Sequence, residues 1–452
     1  MARAWLVLTI VLALPVRAQP VLTLEAALQG ASERNLDLKA AHARLAQVRE
    51  ASRKVLAAYL PQLSVGGTYT RNSVEAKIAL PTGYFIRDVV QPQGPVFDPG
   101  QPVSAENPPG LQTSHVLFPS GFVEAEIQPL NQLGAQLQLQ QALVVPALWP
   151  ALSNAHLGEQ VAALSVEAAR REILFAVVQA YYGAAGLKEA LAVQEKLLEM
   201  NQAHEKDARQ RYELGAAPKI ELLRAEVDRA RSEQDVERTR NAYAGVKSSL
   251  ATLLDRDADF EVERPPRPVL EATEGDRPDV EAARVGVELA DGLRRGVWFK
   301  YAPSLGLTAA YRVSNARGFT GTYDTWAVGV GLQWLLWDGG LRESELRETA
   351  AKQEEAQALW RSAQNKAKDE LRRAELDLKS AQANEKKAAE ALALARESAQ
   401  LAQAAYTSGA ATYLQVSDAN TALLAAELSA IGEQLNAQLA MLRLAKAAGG
   451  FP

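Results

Sequence analysis

The sequence has 452 residues, with 49 lysines and arginines against 54 aspartates and glutamates, a net charge of −5 and no cysteine. Charges of both signs are interleaved, which argues against nucleic acid as the main partner, because phosphate binding requires a basic surface. The lack of cysteine predicts no disulfide, no thiolate metal site and no thiol for a lipid anchor.

Residues 1–18 have the pattern of a secretory signal peptide. Arg3 supplies a positive start, residues 5–14 form a short apolar run, and residues 16–18 (Val-Arg-Ala) offer a small-x-small cleavage site. The run is too short to span a bilayer, and no later stretch approaches the ~20 apolar residues of a membrane-spanning helix. We therefore expect secretion without insertion of a transmembrane helix.

Residues 24–59 are rich in alanine and carry apolar side chains at helical spacing. The pattern predicts a short helix followed by a longer one, with Thr23 as the N-cap of the first. Residues 279–300 carry a similar pattern and predict a helix as long as the one at 36–58.

The hydrophobic period changes to two after Pro61, which predicts a β-strand. Residues 63–69 place Leu, Val, Gly and Tyr on one face and Ser, Gly and Thr on the other. Similar alternation at 135–140, 304–313 and 327–334 predicts two β-hairpins in all. Their second faces are small or polar, which fits strands with lipid on one side and water on the other. A soluble sandwich with one wet face is the alternative.

The connection within the first hairpin, residues 72–124, contains eight prolines. That density predicts a long loop with little regular structure. The connection within the second hairpin, residues 314–325, is short. The two hairpins therefore differ chiefly in their loops.

Residues 153–214 and 341–407 predict two continuous helices, which at about 1.5 Å per residue would each measure about 90 to 100 Å. Each pattern ends at a glycine, Gly215 or Gly409, where a left-handed C-terminal cap would reverse the chain. Pro218 suits the first turn of a return helix.

The predicted return helices, 218–254 and 412–447, are much shorter than the helices that precede them. A return helix stacked end to end with the helix before a strand, at 36–58 or 279–300, would match one long helix in length. Each half of the chain would then form two helical columns with a β-hairpin at one end and a helical turn at the other.

The second half of the sequence repeats the first. Residues 37–41 recur as 279–283 at a spacing of 242, whereas the turn at 212–217 recurs as 406–411 at a spacing of 194. The first copy therefore carries an insertion, which falls in the loop of its hairpin. We divide the chain into a first repeat (19–254), a proline-containing linker expected to cross the outside of the helical column (255–277), a second repeat (278–448) and a C-terminal tail (449–452).

Residues that could support catalysis are scattered. None of the four histidines has the spacing of a metal site, and residues 329–331 and 245–248 each lack a glycine that nucleotide-binding loops require. We expect no enzyme activity, no cofactor and no metal. A coiled-coil dimer would explain the long helices but not hairpins at matching positions in both repeats.

The combined pattern resembles the TolC-like outer-membrane efflux proteins. The resemblance lies in four elements, which are Leu-Thr-Leu-Glu-Ala-Ala-Leu at 22–28, Tyr-x-Pro-x-Leu at Tyr59 and Tyr301, Leu-Trp-Asp-Gly-Gly at 336–340, and the paired Tyr-x-x-Gly turns. It implies an α+β membrane protein, a homotrimer in which each chain gives four strands to a shared transmembrane β-barrel. A long periplasmic α-helical barrel would continue the β-barrel.

The resemblance also implies a function. Such a protein is an exit duct in the outer membrane of a Gram-negative bacterium, extending into the periplasm and contacting outer-membrane lipid. It is docked through a periplasmic adaptor (membrane fusion) protein to the inner-membrane transporter of a tripartite efflux pump or type I secretion system, and passes small molecules or polypeptide. The alternative is a soluble periplasmic coiled-coil scaffold or adaptor.

Carried over by motif, the resemblance places adaptor-contacting tips at the two helical turns, with Tyr212 and Gly215 in the first and Tyr406 and Gly409 in the second. Ala411 stands where related proteins carry an arginine that can link neighbouring chains. We do not expect closure through that link.

Counted from each turn glycine, Glu221, Gln415 and Asp418 match the positions that face the periplasmic aperture. Three copies of Glu221 and of Asp418 would form acidic rings that favour cations. There are simpler alternatives, because an acid in the first turn of a helix is favourable in itself and Asp418 could merely be solvated.

Overall fold

The computed structural model describes residues 20–92, 111–268, 275–316 and 322–451, so the predicted signal peptide lies outside the described residues. The helices are α1 (Leu24–Arg34), α2 (Leu36–Ala57), α3 (Leu148–Glu213), α4 (Lys219–Leu253), α5 (Pro278–Phe299), α6 (Leu341–Thr407) and α7 (Tyr413–Ala447). The strands are β1 (Val21–Leu22), β2 (Gln62–Arg71), β3 (Ala76–Pro92), β4 (Leu111–Gln128), β5 (Asn131–Val144), β6 (Glu261–Val262), β7 (Ser304–Ser314) and β8 (Asp324–Gln333).

The predicted helices are confirmed, with bounds that differ from the expected ones by a few residues. The two long helices, α3 and α6, have 66 and 67 residues, which corresponds to about 100 Å each. The return helices α4 and α7 have 35 residues each, and α2 and α5 have 22 each. Thr23 caps α1 as predicted, since its hydroxyl accepts the N–H of Ala26 at 3.2 Å. None of the described helices combines the length and apolarity needed to cross a membrane.

The described chain forms two compact units. The helical unit comprises the described parts of Met1–Arg53, Pro150–Gly296 and Glu343–Pro452, and the strand unit comprises the described parts of Lys54–Trp149 and Val297–Arg342. Each unit is therefore assembled from both halves of the sequence.

The main core of the helical unit surrounds the middle of α3, where Tyr181 and Tyr182 are almost fully buried. The Tyr181 hydroxyl lies 2.8 Å from the carbonyl oxygen of Leu22. Phe260 and Val262 of the linker are buried in the same core, and β6 pairs in parallel with β1. The prediction that the linker crosses the outside of the column is therefore wrong for Phe260 and Val262. Burying a side chain such as Phe260 contributes about 2 kcal/mol.

The strand unit contains a four-stranded antiparallel sheet in the order β2-β5-β7-β8, which confirms the four predicted strands. The pairing brings their apolar side chains onto one face, because Leu137 opposes both Val65 and Tyr311, and Tyr311 opposes Trp326. Val65 is 78% exposed and Val330 is 61% exposed on that face. The opposite face carries mainly glutamine, serine, threonine and glycine, together with Arg312.

Residues 76–92 and 111–124 form strands and not the loop that the proline content of 72–124 predicts. The strands β3 and β4 pair as a long antiparallel hairpin, in which Phe85 stacks on Phe118 with ring centroids 6.1 Å apart. Pro81 lies at a register shift and Pro119 beside another, where a missing N–H is tolerated. The β-branched and aromatic residues between the prolines favour strands and outweigh them. Pro92 is the last residue of β3, and the other five prolines, between 93 and 110, lie outside the described residues.

Candidate functional site

The two long helices, α3 and α6, end in the same type of turn. Gly215 and Gly409 have φ angles of +69° and +78°, which glycine adopts without the steric penalty of a Cβ atom. The N–H of Ala216 donates to the carbonyl of Arg211 at 2.7 Å, and that of Ala410 donates to the carbonyl of Ala405 at 2.8 Å. These are the bonds of a Schellman cap, so the predicted left-handed caps are confirmed.

The return helices begin differently in the two repeats. Pro218 is the N-cap of α4 and precedes its first helical residue, so it lies just outside the turn predicted for it. At the start of α7, the backbone N–H of Thr412 donates to Oε1 of Gln415 at 2.9 Å. The side chain of Gln415, a predicted aperture residue, therefore also caps its own helix.

The two tip tyrosines have different surroundings. Tyr212 is 40% exposed. Tyr406 is half-buried, with the guanidinium of Arg211 5.4 Å from its ring centre and the ring of Tyr413 at 6.5 Å. Burial raises the pKa of the Tyr406 phenol, and the positive charge of Arg211 partly opposes that rise. The sequence repeat thus does not extend to equivalent side-chain contacts.

A buried tyrosine near the second turn connects the two repeats. The Tyr413 hydroxyl on α7 donates to Oδ2 of Asp228 on α4 at 3.2 Å, and the Ser417 hydroxyl donates to the same oxygen at 2.8 Å. Tyr413 is only 6% exposed. Burial and the Asp228 carboxylate together raise the pKa of Tyr413 far above its ordinary value, so the phenol stays a donor.

Helix α3 completes this cluster from the other side. The ring of His204 packs edge-on against Tyr413, with centroids 5.7 Å apart. Burial lowers the pKa of His204, and the nearby carboxylates of Asp207 and Asp228 only partly oppose that effect. The imidazole is therefore neutral at pH 7, and side chains from α3, α4, α6 and α7 meet around Tyr413.

The predicted aperture residues lie close to this cluster along the chain. Glu221 is half-buried in the first turn of α4, near enough to Tyr406 to contribute to the rise in its pKa. Asp418 is exposed and directly follows Ser417 on α7. Their orientation toward an aperture stays a prediction, because an aperture would need further copies of the chain.

The sequence analysis missed Asp228, Tyr413 and Ser417. Their one sequence signal is the spacing of four between Tyr413 and Ser417, which places both hydroxyls on one helical face. The acceptor is 185 positions away from Tyr413, so spacing alone does not identify it.

Asp338, Arg342 and Tyr301 form a polar cluster of the strand unit at the start of α6. Both carboxylate oxygens of Asp338 accept backbone N–H groups from residues 340–342, and the Arg342 Nε donates to Asp338 at 2.8 Å. The Arg342 guanidinium lies 4.3 Å from the ring centre of Tyr301. The side chains of Asp338 and Arg342 are 8% and 6% exposed. The aspartate of the sequence 336–340 therefore forms a buried ion pair at the start of α6.

A family model described as outer membrane efflux protein matches residues 27–255 and 269–450. Among curated proteins, none matches this sequence.

The fold is similar to several solved structures. The outer membrane protein VceC from Vibrio cholerae is 21% identical with a TM-score of 0.73, and the match covers 95% of this chain and 97% of that one. The CmeC outer membrane channel of Campylobacter jejuni is 15% identical with a TM-score of 0.75, covering 95% of this chain and 86% of that one. The open state of the Neisseria gonorrhoeae MtrE outer membrane channel is 19% identical with a TM-score of 0.65, covering 94% and 89%.

Proposed function

The chain belongs to the outer membrane efflux protein family, and we propose that three copies of it form one exit duct, fed by an inner-membrane transporter through a periplasmic adaptor. Its location in the outer membrane and its role in efflux follow from the family. The trimer, the adaptor and the transporter are our proposal, as is a cargo of small molecules or polypeptide carried by a tripartite pump or a type I secretion system. Transport, with no catalytic reaction, is the function that we assign.

The observation that carries the proposal is the four-stranded sheet with an exposed apolar face. Strands β2 and β8 are its two edges, and each leaves N–H and C=O groups without a partner strand among the described residues of one copy. In lipid each such group would cost several kcal/mol, so a membrane-spanning sheet must close on itself. Four strands are too few to close, whereas three copies supply twelve, within the range of outer-membrane barrels.

Aromatic residues support the lipid assignment of this face. Trp326 lies near the start of β8 and Trp334 directly follows its last residue, and both are well exposed. The apolar residues Val328, Val330 and Leu332 lie between them. Aromatic girdles flanking an apolar band are typical of barrels at the two membrane interfaces. A soluble scaffold would not need such a face exposed.

We further propose that the helical turns contact the adaptor through Tyr212, Gly215, Tyr406 and Gly409. The exposure of Tyr212 supports this role, and both glycine caps hold the turns in the same conformation. We also propose repeat boundaries at 19–254 and 278–448.

We propose Glu221, Gln415 and Asp418 as residues of the periplasmic aperture. The exposure of Asp418 on α7 leaves its carboxylate free to face water in a lumen. Gln415 can contribute its amide nitrogen there while its oxygen caps α7.

Fractionation and mass measurement test the duct. The protein should stay with the outer membrane until detergent is added, and light scattering in detergent should give the mass of three chains. Release as a monomer or dimer without detergent would overturn the duct and favour the soluble scaffold.

A further inference from the structure

The polar face of the four-stranded sheet carries one charged side chain among the described strand residues, that of Arg312 on β7. By the pairing register, Arg312 opposes Gln136 on β5 and Thr325 on β8, which places all three on the face opposite Val65 and Val330. Arg71 lies on the apolar face instead, since it opposes Asn131, two residues before Leu133. Arg312 is thus a single positive charge among neutral polar groups.

A cavity of about 460 Å³ lies on the same face beside Arg312. Its walls include the polar side chains of Ser64, Thr68, Gln136 and Gln138. Gly66 contributes no side chain, and no atom lies within 4 Å of the position that a Cβ would take there. The cavity is therefore open to a small polar group.

The hydrogen bonds leave this cavity with unused donors. Nη2 of Arg312 donates to Oε1 of Gln136 at 3.3 Å, and Nε2 of Gln136 donates to Oε1 of Gln138 at 3.2 Å. Within the described part of the chain, no carboxylate pairs with Arg312. A guanidinium has five N–H donors, so most of them stay available, as does the amide nitrogen of Gln138.

We propose that Arg312, with the amides of Gln136 and Gln138, forms an anion-binding site for carboxylate-bearing cargo on the inner wall of the barrel. The proposal rests on the proposed duct, because this face lines water only if three copies close a barrel. Three copies of Arg312 would then form a positive ring, and the planar guanidinium matches a carboxylate with two parallel hydrogen bonds. The barrel would favour anions, whereas the proposed periplasmic aperture, with Glu221 and Asp418, would favour cations.

The absence of cysteine from the sequence allows a direct test of the potential at this site. In the Ser64→Cys protein the only thiol lies in the cavity wall, and its reaction rates with anionic and cationic methanethiosulfonate reagents of similar size report the local charge. We expect Arg312→Gln to lower the ratio of anionic to cationic rate by about threefold or more at 0.01 M salt, and by less at 0.15 M salt. The control Arg71→Gln, on the opposite face, should leave the ratio unchanged.

Protection by citrate tests binding of a carboxylate. Citrate should slow modification of Ser64→Cys by the anionic reagent when Arg312 is present and not when it is Gln. Arg312→Lys should keep the rate ratio but lose part of the protection, because an ammonium cannot form the paired hydrogen bonds.

The outcomes separate this site from the duct. A thiol that reacts with both reagents at a ratio independent of Arg312, or that citrate does not protect, overturns the anion site and leaves the duct standing. A thiol that reacts with neither reagent in the purified trimer overturns the water-filled lumen, and the anion site with it.

Discussion

The Tyr413 hydroxyl donates to the Asp228 carboxylate at 3.2 Å, so a helix of the second repeat is hydrogen-bonded to a helix of the first. Ser417 donates to the same carboxylate oxygen, and such charge-assisted bonds are stronger than bonds between neutral groups. One carboxylate therefore holds two hydroxyls of α7 close to the turns that end α3 and α6.

Replacing Tyr413 by Phe should loosen α7 from α4. The substitution keeps the packed ring and removes one hydrogen bond to a charged acceptor, a loss of about 1.5 to 3 kcal/mol. If α7 lines the aperture, the looser helix should raise single-channel conductance in planar bilayers. Tyr212→Phe, which alters an exposed tyrosine near the first turn, is the matched control. Equal conductance in both variants would show that the Tyr413 bond does not restrain the aperture.

Acid should weaken the same cluster through His204. Because burial lowers its pKa in the folded protein, His204 binds a proton more readily when the chain is unfolded. The stability it contributes is thus complete above its unfolded pKa of about 6.5 and declines as the pH falls below that value toward the folded pKa. The protection of amides in α3 and α4 against hydrogen exchange, measured relative to the intrinsic exchange rate at each pH, should fall from pH 7.5 to pH 5.5. His204→Gln should flatten this pH dependence. An unchanged pH profile in that variant would show that groups other than His204 cause the dependence.

A charge on the lipid face should prevent assembly, whereas the same charge on the inner face should not. Val330→Arg places a guanidinium in the apolar band at an estimated cost of about 2 to 4 kcal/mol per copy near the midplane. Thr308→Arg adds the same group on the polar face of the adjoining strand. We expect Val330→Arg alone to reduce the folded protein recovered from the outer membrane. Equal recovery would contradict the assignment of the two faces.

The Asp338–Arg342 pair should be needed for folding of the strand unit. Burial alone would raise the pKa of Asp338, but the hydrogen bonds from Arg342 outweigh it and the net pKa is lowered. Arg342→Leu leaves the Asp338 carboxylate without its partner and should lower the unfolding temperature. The double variant Arg342→Leu with Asp338→Ala should lose less stability than the two single variants lose in sum.

Asp291 and Arg295 provide the control for that experiment. They form an ion pair of the same spacing, at 2.8 Å, but with side chains 42% and 68% exposed. Arg295→Leu should change the unfolding temperature little, because exposed pairs contribute at most about 1 kcal/mol. Similar effects of Arg295→Leu and Arg342→Leu would mean that burial does not distinguish the two pairs.

The sequence predicts the elements here better than their side-chain contacts, for a physical reason. Helical period and glycine position determine α3 and its cap at Gly215 from neighbours along the chain. The burial of Phe260 depends on packing against a distant helix, and the strands within residues 72–124 depend on pairing that overrides proline content. The link from Tyr413 to Asp228 likewise requires the three-dimensional arrangement of two repeats.

The aperture assignment predicts a change in ion selectivity. If Glu221 and Asp418 line the narrowest part of the duct, three copies of each carboxylate attract cations, and Glu221→Gln with Asp418→Asn should shift the reversal potential in a salt gradient toward that of an unselective pore. The shift should shrink at high salt because screening shortens the range of each charge. Glu237→Gln removes an exposed acid of α4 that pairs with Arg240, far from either turn, and should have little effect. If the double variant is as selective as the unmodified protein, the residues that favour cations lie elsewhere. If its shift only equals that of Glu237→Gln, the shift reflects the net charge of the protein and not the position of Glu221 and Asp418.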